Sequence, residues 1–247
     1  MVAAIKHAAR IIVFSSNSKE QLCNKLMINY NKVVVSYLAP HSRYQPLDEH
    51  QVKEVLAKRY NIRENYILAP ADGVTRMNCL RLLEAFSFIL KIPELKKYRL
   101  FIQGEAGWAS DKIAARVKTG NLVGKVAFLE GVTPKERLIL MNGASMVVYP
   151  PLTEETGVPV MEAMACGAPV ACSDIPVHRE LFKDAVAYFH PLDSQEMADS
   201  ISKILMDHDY YRQITASGTQ LVRTFNWENT ASDHIEAFRQ AMSVLEE

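Results

Sequence analysis

Two carboxylates, Glu154 and Glu162, are separated by seven residues around a segment with the composition of a strand-to-helix turn. Pro159 suits the first turn of a helix, where its missing N–H costs nothing. Gly157, two residues earlier, allows backbone amides to approach a ligand closely. Because the start of a helix presents unpaired amides, this segment predicts an anion site, with Glu154 on the entering loop and Glu162 in the first helical turn.

The two glutamates could do different chemistry at this spacing. Glu162 could accept hydrogen bonds from a pair of ribose hydroxyls. Glu154 could face a sugar ring or a positive charge that develops at its anomeric carbon. A purely structural interpretation stays open, in which Glu162 complements the helix dipole and Glu154 is solvated.

The elements that position these residues alternate between strand and helix. Short apolar runs predict strands, and segments of helical periodicity predict the helices between them. Short apolar strands joined by crossover helices form parallel sheets that are covered on both faces. The sequence therefore predicts an α/β fold, with a Rossmann-like parallel sheet, helices on both faces and further helices at the C-terminus. Strands are expected at 66–69, 99–103, 126–129, 146–149, 169–171 and 186–189, and helices at 77–90, 111–119, 135–142, 159–165, 177–182, 194–206, from about 210, and 227–245.

The first part of the chain predicts a smaller unit. A strand at 11–14 is followed by a helix that Ser18 caps and then by a strand at 32–37. A segment at 40–64, rich in Pro, His, Glu and Arg, marks a modest domain boundary.

Composition excludes several classes of protein. Lys and Arg together number 28, as do Asp and Glu, so bulk charge does not hold this chain on nucleic acid or an anionic membrane. No apolar run is long enough to predict a membrane-spanning helix. The sequence contains neither G-x-G-x-x-G nor a P-loop. The four cysteines form no C-x-x-C pair, which favours reduced thiols in a cytoplasmic protein.

One segment resembles a metal–nucleotide motif. Asp207-His208-Asp209 is formally D-x-D. It lies between two predicted helices and not at the end of a strand, so an ordinary polar turn is the favoured interpretation. No metal ion is expected.

The segment that contains both glutamates resembles a family signature. E-E-T-G-V-P-V-M-E-A-M-A-C-G-A-P-V, from Glu154 to Val170, is similar to the E-G-F-G-L-P-V-L-E-A-M-A-C-G-x-P-V of the family-four (group 1) retaining glycosyltransferases, which have the two-domain GT-B fold. Further resemblances follow in the family's order, at 78–86, at F-L-E-G-V (128–132) and at F-N-W-E-N-T (225–230). Together they cover nearly the whole chain from about Ala8.

The resemblance implies transfer of a sugar from a nucleotide diphosphate sugar, with retention at the anomeric carbon, in glycan biosynthesis. It implies that Glu154 is the catalytic residue facing the donor sugar, and that Glu162 binds the ribose. The donor substrate is the only small molecule implied, without a cofactor or a metal. The donor-binding residues are then Glu162, Gly157, Val158, Pro159, Val160, Arg76, Gly131 and Val132.

The sequence departs from the family pattern at the expected diphosphate clamp. Where the family has G-R-x-x-P-R-K-N, this chain has A-D-G-V-T-R-M-N, so Asp72 and Met77 replace an Arg and a Lys. An acidic residue there weakens binding of a diphosphate by Coulomb repulsion. Arg76 is retained and can bond a phosphate bidentately, although a solvated residue at a helix start is an equal alternative.

A second departure concerns the N-terminus. Ala8–Ser18 resembles the segment that closes the family's N-terminal, acceptor-binding domain. We therefore expect residues 1–45 to be a remnant of that domain and residues 46–247 to form the nucleotide-sugar-binding domain. Catalysis would then need an acceptor domain from a partner chain, a homo-oligomer or a longer protein.

Two other functions stay open. The chain could be a non-catalytic, transferase-like module that regulates or docks to a partner, as Asp72 and Met77 suggest. A GT-B-like epimerase or phosphorylase is disfavoured by the transferase-like motifs. In each case the expected location is the cytoplasm, with peripheral contact at the cytoplasmic face of a membrane allowed, and no nucleic acid is expected as a partner.

Overall fold

The computed structural model describes residues 2–70, 78–104 and 110–245. Within these ranges, strands and helices alternate over most of the chain. The strands are β1 (Ile11–Val13), β2 (Val33–Val35), β3 (Tyr66–Pro70), β4 (Arg99–Gln103), β5 (Val126–Leu129), β6 (Met146–Tyr149), β7 (Val170–Ser173) and β8 (Ala187–Phe189). The helices are α1 (Val2–His7), α2 (Ser16–Leu26), α3 (Glu49–Tyr60), α4 (Cys79–Ile89), α5 (Ser110–Thr119), α6 (Pro134–Gly143), α7 (Val158–Ala165), α8 (Pro176–Phe182), α9 (Ser194–Met206), α10 (His208–Val222) and α11 (Trp227–Leu245).

Strands β3 to β8 form one parallel sheet in the order β5-β4-β3-β6-β7-β8. The chain moves outward from β3 through β4 and β5, and then returns to the other side of β3 with β6. The strand order therefore reverses between β3 and β6, where Ile67 is opposite Met146 and Leu68 is opposite Val147. Loops that leave such a pair of strands diverge and form a crevice at their carboxyl ends, which is the usual ligand site of these sheets.

The two strands at this reversal lie within the hydrophobic core. Ile67, Leu68, Val147 and Val148 are fully buried. Helices pack over the sheet, with α4 against α9 and α3 against α6. Parallel strands that are apolar on both faces require this kind of cover. The predicted α/β fold, with a parallel sheet flanked by helices and three closing helices, is confirmed.

Strands β1 and β2 form a separate two-stranded parallel sheet, with Ile11 opposite Val33. Helix α2 connects the two strands, and α11 returns from the C-terminus to pack against both. In α11, the hydroxyl of Thr230 donates a hydrogen bond to the carbonyl of Tyr37 at 2.7 Å, and Ala237 is buried. Helix α11 therefore packs with the small sheet that the N-terminal strands β1 and β2 form.

Helix α2 begins earlier than the sequence analysis predicts. Ser15, and not Ser18, is the N-cap, because its Oγ accepts a hydrogen bond from the amide of Ser18 at 3.0 Å. Ser15 has an extended backbone directly after β1, which is the usual conformation of a capping residue. The prediction that Ser18 caps the helix was wrong.

Glu180, on α8 of the larger sheet, binds the first turn of α2. Its Oε1 accepts a hydrogen bond from the amide of Ser16 at 2.7 Å, and its Oε2 accepts one from the amide of Asn17 at 3.0 Å. The hydroxyl of Tyr37 also donates to Oε1, at 2.9 Å. A carboxylate is stabilised at a helix N-terminus by the exposed amides and the helix dipole. One side chain therefore connects the two sheets.

We expect Glu180→Ala to lower the free energy of unfolding by about 1–2 kcal/mol, because two helix amides and a hydroxyl lose a charged acceptor. Urea denaturation followed by circular dichroism measures this change. Glu20→Gln is the matched control, since Glu20 is an exposed carboxylate on the same helix α2. An equal loss of stability in both variants would contradict the assigned role of Glu180.

Candidate functional site

The candidate site lies where the strand order reverses. The loop after β6, residues 150–157, leaves the carboxyl end of the sheet beside the end of β3. It carries Glu154, as the sequence analysis predicts. Arg76, Asp72 and Met77, which the sequence analysis discusses at the expected diphosphate site, lie outside the described residues.

Gly157 forms the junction between this loop and α7. Its φ of 64° is in the left-handed region, which strains other residues. A Cβ at this position would also lie 2.5 Å from Cζ of Phe182 and 2.9 Å from Cδ1 of Leu181, both on α8. Only glycine therefore allows α7 to begin this close to α8.

The first turn of α7 contains the segment that the sequence analysis assigns to donor binding. Val158 and Pro159 are its first two residues, and the predicted position of Pro159 in the first turn is confirmed. The amide of Val160 donates to the carbonyl of Gly157 at 3.1 Å, and Pro159 has no N–H. The amides of Gly157 and Val158 are thus the groups that this helix start can offer to an anion.

Glu154 is held in place by its own loop. Its Oε2 accepts a hydrogen bond from the hydroxyl of Tyr149, the last residue of β6, at 2.5 Å. Its Oε1 accepts hydrogen bonds from the amides of Glu155 and Thr156 at 2.8 Å and 2.9 Å. The hydroxyl of Thr156 adds a third bond to Oε1, at 3.0 Å. These four bonds fix the carboxylate at the mouth of the crevice.

The charge of Glu154 results from two opposing effects. Burial acts to raise the pKa of Glu154, because it removes the carboxylate from water. The hydrogen bonds from Tyr149, Thr156 and Glu155 favour the ionised form and outweigh burial, so the pKa lies below its ordinary value. Glu154 is therefore a carboxylate at neutral pH and not a proton donor.

Glu162 lies one turn further into α7. The prediction that it belongs to the first turn was wrong, because the helix begins at Val158 and Glu162 is its fifth residue. The residue is 8% exposed, and its Oε2 lies 3.6 Å from Nη1 of Arg137 on α6. The charge of Glu162 is therefore paired with an arginine of another helix and does not only interact with the dipole of α7.

Tyr44 completes the surroundings of Glu162. This buried tyrosine belongs to the segment that connects β2 to α3, and it lies close enough to Glu162 and Arg137 for both charges to act on its hydroxyl. Burial, followed by the nearby negative charge of Glu162, raises the pKa of Tyr44 to about 12. The tyrosine is therefore a neutral donor at every physiological pH.

Gly131 and Val132 lie in the turn between β5 and α6. Gly131 has a φ of 63°, in the left-handed region. The next residue, Thr133, caps α6 together with Glu136 in a capping box. Helix α6, which begins after this turn, also carries Arg137, the ion-pair partner of Glu162.

His178 packs against Tyr149, a contact that the sequence analysis does not predict. The residue is fully buried, its ring lies 5.8 Å from that of Tyr149, and its Nδ1 lies 2.8 Å from the carbonyl of Ser173. Burial lowers the pKa of His178 to about 4. The histidine is thus neutral, with Nδ1 as the donor to the carbonyl.

The residues that sequence reasoning missed are Tyr44, Arg137, Tyr149, Thr156 and His178. A local signal existed for two of them, because Tyr149 ends the strand before Glu154 and Thr156 is two residues after it. Among residues 2–70, 78–104 and 110–245, no group of three or more His, Cys, Asp and Glu side chains could hold a metal ion. Asp207 ends α9 and caps α10, accepting bonds from the amides of Asp209 and Tyr210, so D-x-D is a helix-capping turn here.

An open parallel sheet with a helix start at the point where its strand order reverses is the usual ligand-binding arrangement of α/β proteins. The family described as glycosyl transferases group 1 matches residues 52–221, well over half of the chain. The chain belongs to this family.

Individual relatives agree with the family. The chain is 28% identical over 236 residues to O-antigen chain mannosyltransferase B of Escherichia coli, covering 96% of this chain and 62% of that protein. This chain therefore spans less than two thirds of the length of that relative. No helix within the described ranges is long and apolar enough to cross a membrane.

Solved structures show the same fold. The HepE structure from Anabaena, determined in complex with UDP-glucose, has a TM-score of 0.83 at 17% identity, covering 98% of this chain and 66% of that one. Sucrose-phosphate synthase from Thermosynechococcus elongatus has a TM-score of 0.82 at 22% identity, covering 98% and 61%. At these identities the likeness concerns the fold alone.

We expect Gly157→Ala to destabilise the protein by about 2–4 kcal/mol, from the left-handed backbone and from overlap with Phe182 and Leu181. Gly167→Ala is the matched control, because Gly167 also has a positive φ of 78° but has no atom within 4 Å of the added Cβ. The control should lose only about 1–2 kcal/mol, the cost of the backbone conformation. Equal losses, measured by denaturation with urea, would show that crowding at Gly157 is unimportant.

His178 should make the protein sensitive to acid. Its pKa is about 4 in the folded protein, below the ordinary value of 6.5, so the unfolded chain binds the proton first as the pH falls. Stability due to the neutral histidine is complete above about pH 6.5, and about 3 kcal/mol is lost as the pH approaches 4. The free energy of unfolding, measured across this range, should fall less steeply in His178→Gln.

The exposed His208 provides the control for this pH series. His208→Gln should show the acid sensitivity of the unaltered protein. An unchanged slope in His178→Gln would contradict the assignment of the sensitivity to His178.

Proposed function

We propose that this chain is the donor-binding half of a retaining glycosyltransferase that uses a nucleotide diphosphate sugar. The observation that carries the proposal is the placement of Glu154 and Glu162 on either side of the α7 N-terminus, in the crevice where the strand order reverses. Membership of the group 1 glycosyltransferases supports it.

The donor would bind along this crevice. The amides of Gly157 and Val158 suit the diphosphate, because a helix start attracts an anion. Arg76 is proposed to add a positive charge there, and Gly131 and Val132 to lie near the base. Fixed donors of this kind stabilise the leaving diphosphate without a metal ion.

The two glutamates would act on different parts of the donor. Glu162 would accept hydrogen bonds from the ribose hydroxyls. Glu154 would face the sugar, where its lowered pKa keeps it negative. A fixed negative charge stabilises the positive charge that develops at an anomeric carbon when the diphosphate leaves. The proposed catalytic contribution of Glu154 is thus electrostatic.

The proposed sugar and process come from the relatives. The matched Escherichia coli proteins are O-antigen chain and serotype-specific mannosyltransferases, so we propose mannosyl transfer during glycan synthesis in the cytoplasm. Residues 1–45 would be the remnant of an acceptor-side domain, and residues 46–247 the donor domain. The acceptor half would come from another chain, a second copy or the rest of a longer protein.

Titration calorimetry with GDP-mannose, UDP-glucose and UDP-N-acetylglucosamine, and with GDP and UDP, tests the proposal. We expect one nucleotide series to bind. Glu162→Gln should weaken the sugar nucleotide and the free nucleoside diphosphate by the same factor, about tenfold or more, because it removes a charged acceptor from a shared ribose site. Glu154→Gln should weaken the sugar nucleotide more than the free diphosphate.

Glu155→Gln is the control for these variants. Glu155 is the exposed neighbour of Glu154, and its substitution should leave both affinities unchanged. If the unaltered chain binds no nucleotide in this series, the donor-site proposal fails and the non-catalytic module is favoured.

A further inference from the structure

The ion pair between Arg137 and Glu162 joins the helices α6 and α7. The two side chains are 17% and 10% exposed, so both are largely removed from water. Arg137 is placed by α6, whose start is fixed by the capping box of Thr133 and Glu136. The pair is therefore built into the packing of α6 and α7 and is not a surface contact.

The segment between β2 and α3 also lies close to this ion pair, at Tyr44. Tyr44 lies close to Glu162, and the segment around it is held by Asn142 near the C-terminal end of α6. The amide of Leu47 donates to Oδ1 of Asn142 at 2.7 Å, and Nδ2 of Asn142 donates to the carbonyl of Gln45 at 3.1 Å. Glu162 thus has a positive charge, Arg137, and a neutral hydroxyl, Tyr44, in its surroundings.

These surroundings determine how Glu162 can act. A carboxylate this deeply buried remains ionised when a positive charge or several hydrogen-bond donors compensate it, and otherwise takes up a proton. A guanidinium stays charged at every accessible pH, so Arg137 is a permanent compensating charge. An ionised carboxylate can accept two hydrogen bonds from neighbouring hydroxyls, whereas a protonated one must donate at one oxygen.

We propose that Arg137 is a positioning residue that keeps Glu162 ionised and oriented toward the ribose, and thereby determines the preference for ribonucleotides over 2′-deoxyribonucleotides. This inference rests on the proposed function, because it assumes that Glu162 binds the ribose. Removal of the 2′-hydroxyl takes away one of the two bonds that the carboxylate accepts, so the preference reports directly on the state of Glu162.

The test compares the affinities of UDP, GDP and ADP with those of their 2′-deoxy forms, measured by calorimetry on the full chain. The unaltered protein should bind its preferred ribonucleotide at least about tenfold more tightly than the deoxy form. In Arg137→Gln this ratio should fall to within about twofold of one. Arg137→Lys keeps the charge and should restore most of the ratio.

Lys135→Gln is the matched control, because it removes a positive charge from an exposed position of the same helix. Lys135→Gln should change the affinities for the ribonucleotide and the deoxyribonucleotide by the same factor and so leave their ratio unchanged. If the loss of one positive charge were the only cause, Lys135→Gln and Arg137→Gln would change the affinities for the ribonucleotide and the deoxyribonucleotide in the same way.

A double-variant comparison keeps the inference testable where Arg137→Gln folds poorly. Arg137→Gln combined with Glu162→Gln leaves no unpaired buried charge. If Arg137 acts through Glu162, the double variant should bind the ribonucleotide as Glu162→Gln alone does. A further loss in the double variant would overturn the inference.

The outcomes separate this inference from the proposed function. A ratio in Arg137→Gln equal to that of the unaltered protein overturns the role of Arg137 and leaves donor binding intact. Equal affinity of the unaltered protein for ribo- and deoxyribonucleotides also overturns it. Absence of nucleotide binding to the unaltered protein overturns the proposed function itself.

Discussion

The close approach of α7 to α8 at Gly157 is the constraint on which the candidate site depends. Phe182 and Leu181 leave no room for a Cβ, so the chain must turn with a positive φ at this point. That turn determines where α7 begins and where the loop before it must end. It also sets the helical register that places Glu162 beside Arg137.

The two glutamates are kept charged by different means. Neutral donors of its own loop stabilise Glu154, namely two amides and the hydroxyls of Tyr149 and Thr156. Glu162 instead has a full positive charge, supplied by another helix. Because its donors are neutral, Glu154 keeps a net negative charge. Glu162 still offers hydrogen-bond acceptors, but Arg137 balances most of its charge. The difference suits the separate roles proposed for them.

Local patterns were enough to predict much of the larger sheet and the position of Glu154. Strand β6 occupies 146–149 as expected, because a short apolar run followed by two prolines leaves few alternatives. The contacts of Glu162 could not be predicted in this way. Tyr44 and Arg137 are distant from it in sequence, and they meet it only after α6 and the connecting segment pack against α7. Helix starts also depend on such contacts, since Glu180 stabilises the first turn of α2.

The segment between the two sheets links the surroundings of Glu162 to the small sheet. Tyr44 belongs to this segment, which is bonded to α11 through Nε1 of Trp227 and the carbonyl of Pro40 at 3.1 Å. Asn142 holds the same segment on the other side of Tyr44, at Gln45 and Leu47. Both flanks of Tyr44 are therefore anchored, one to α11 and the other to α6. The two sheets are therefore connected through this segment as well as through Glu180.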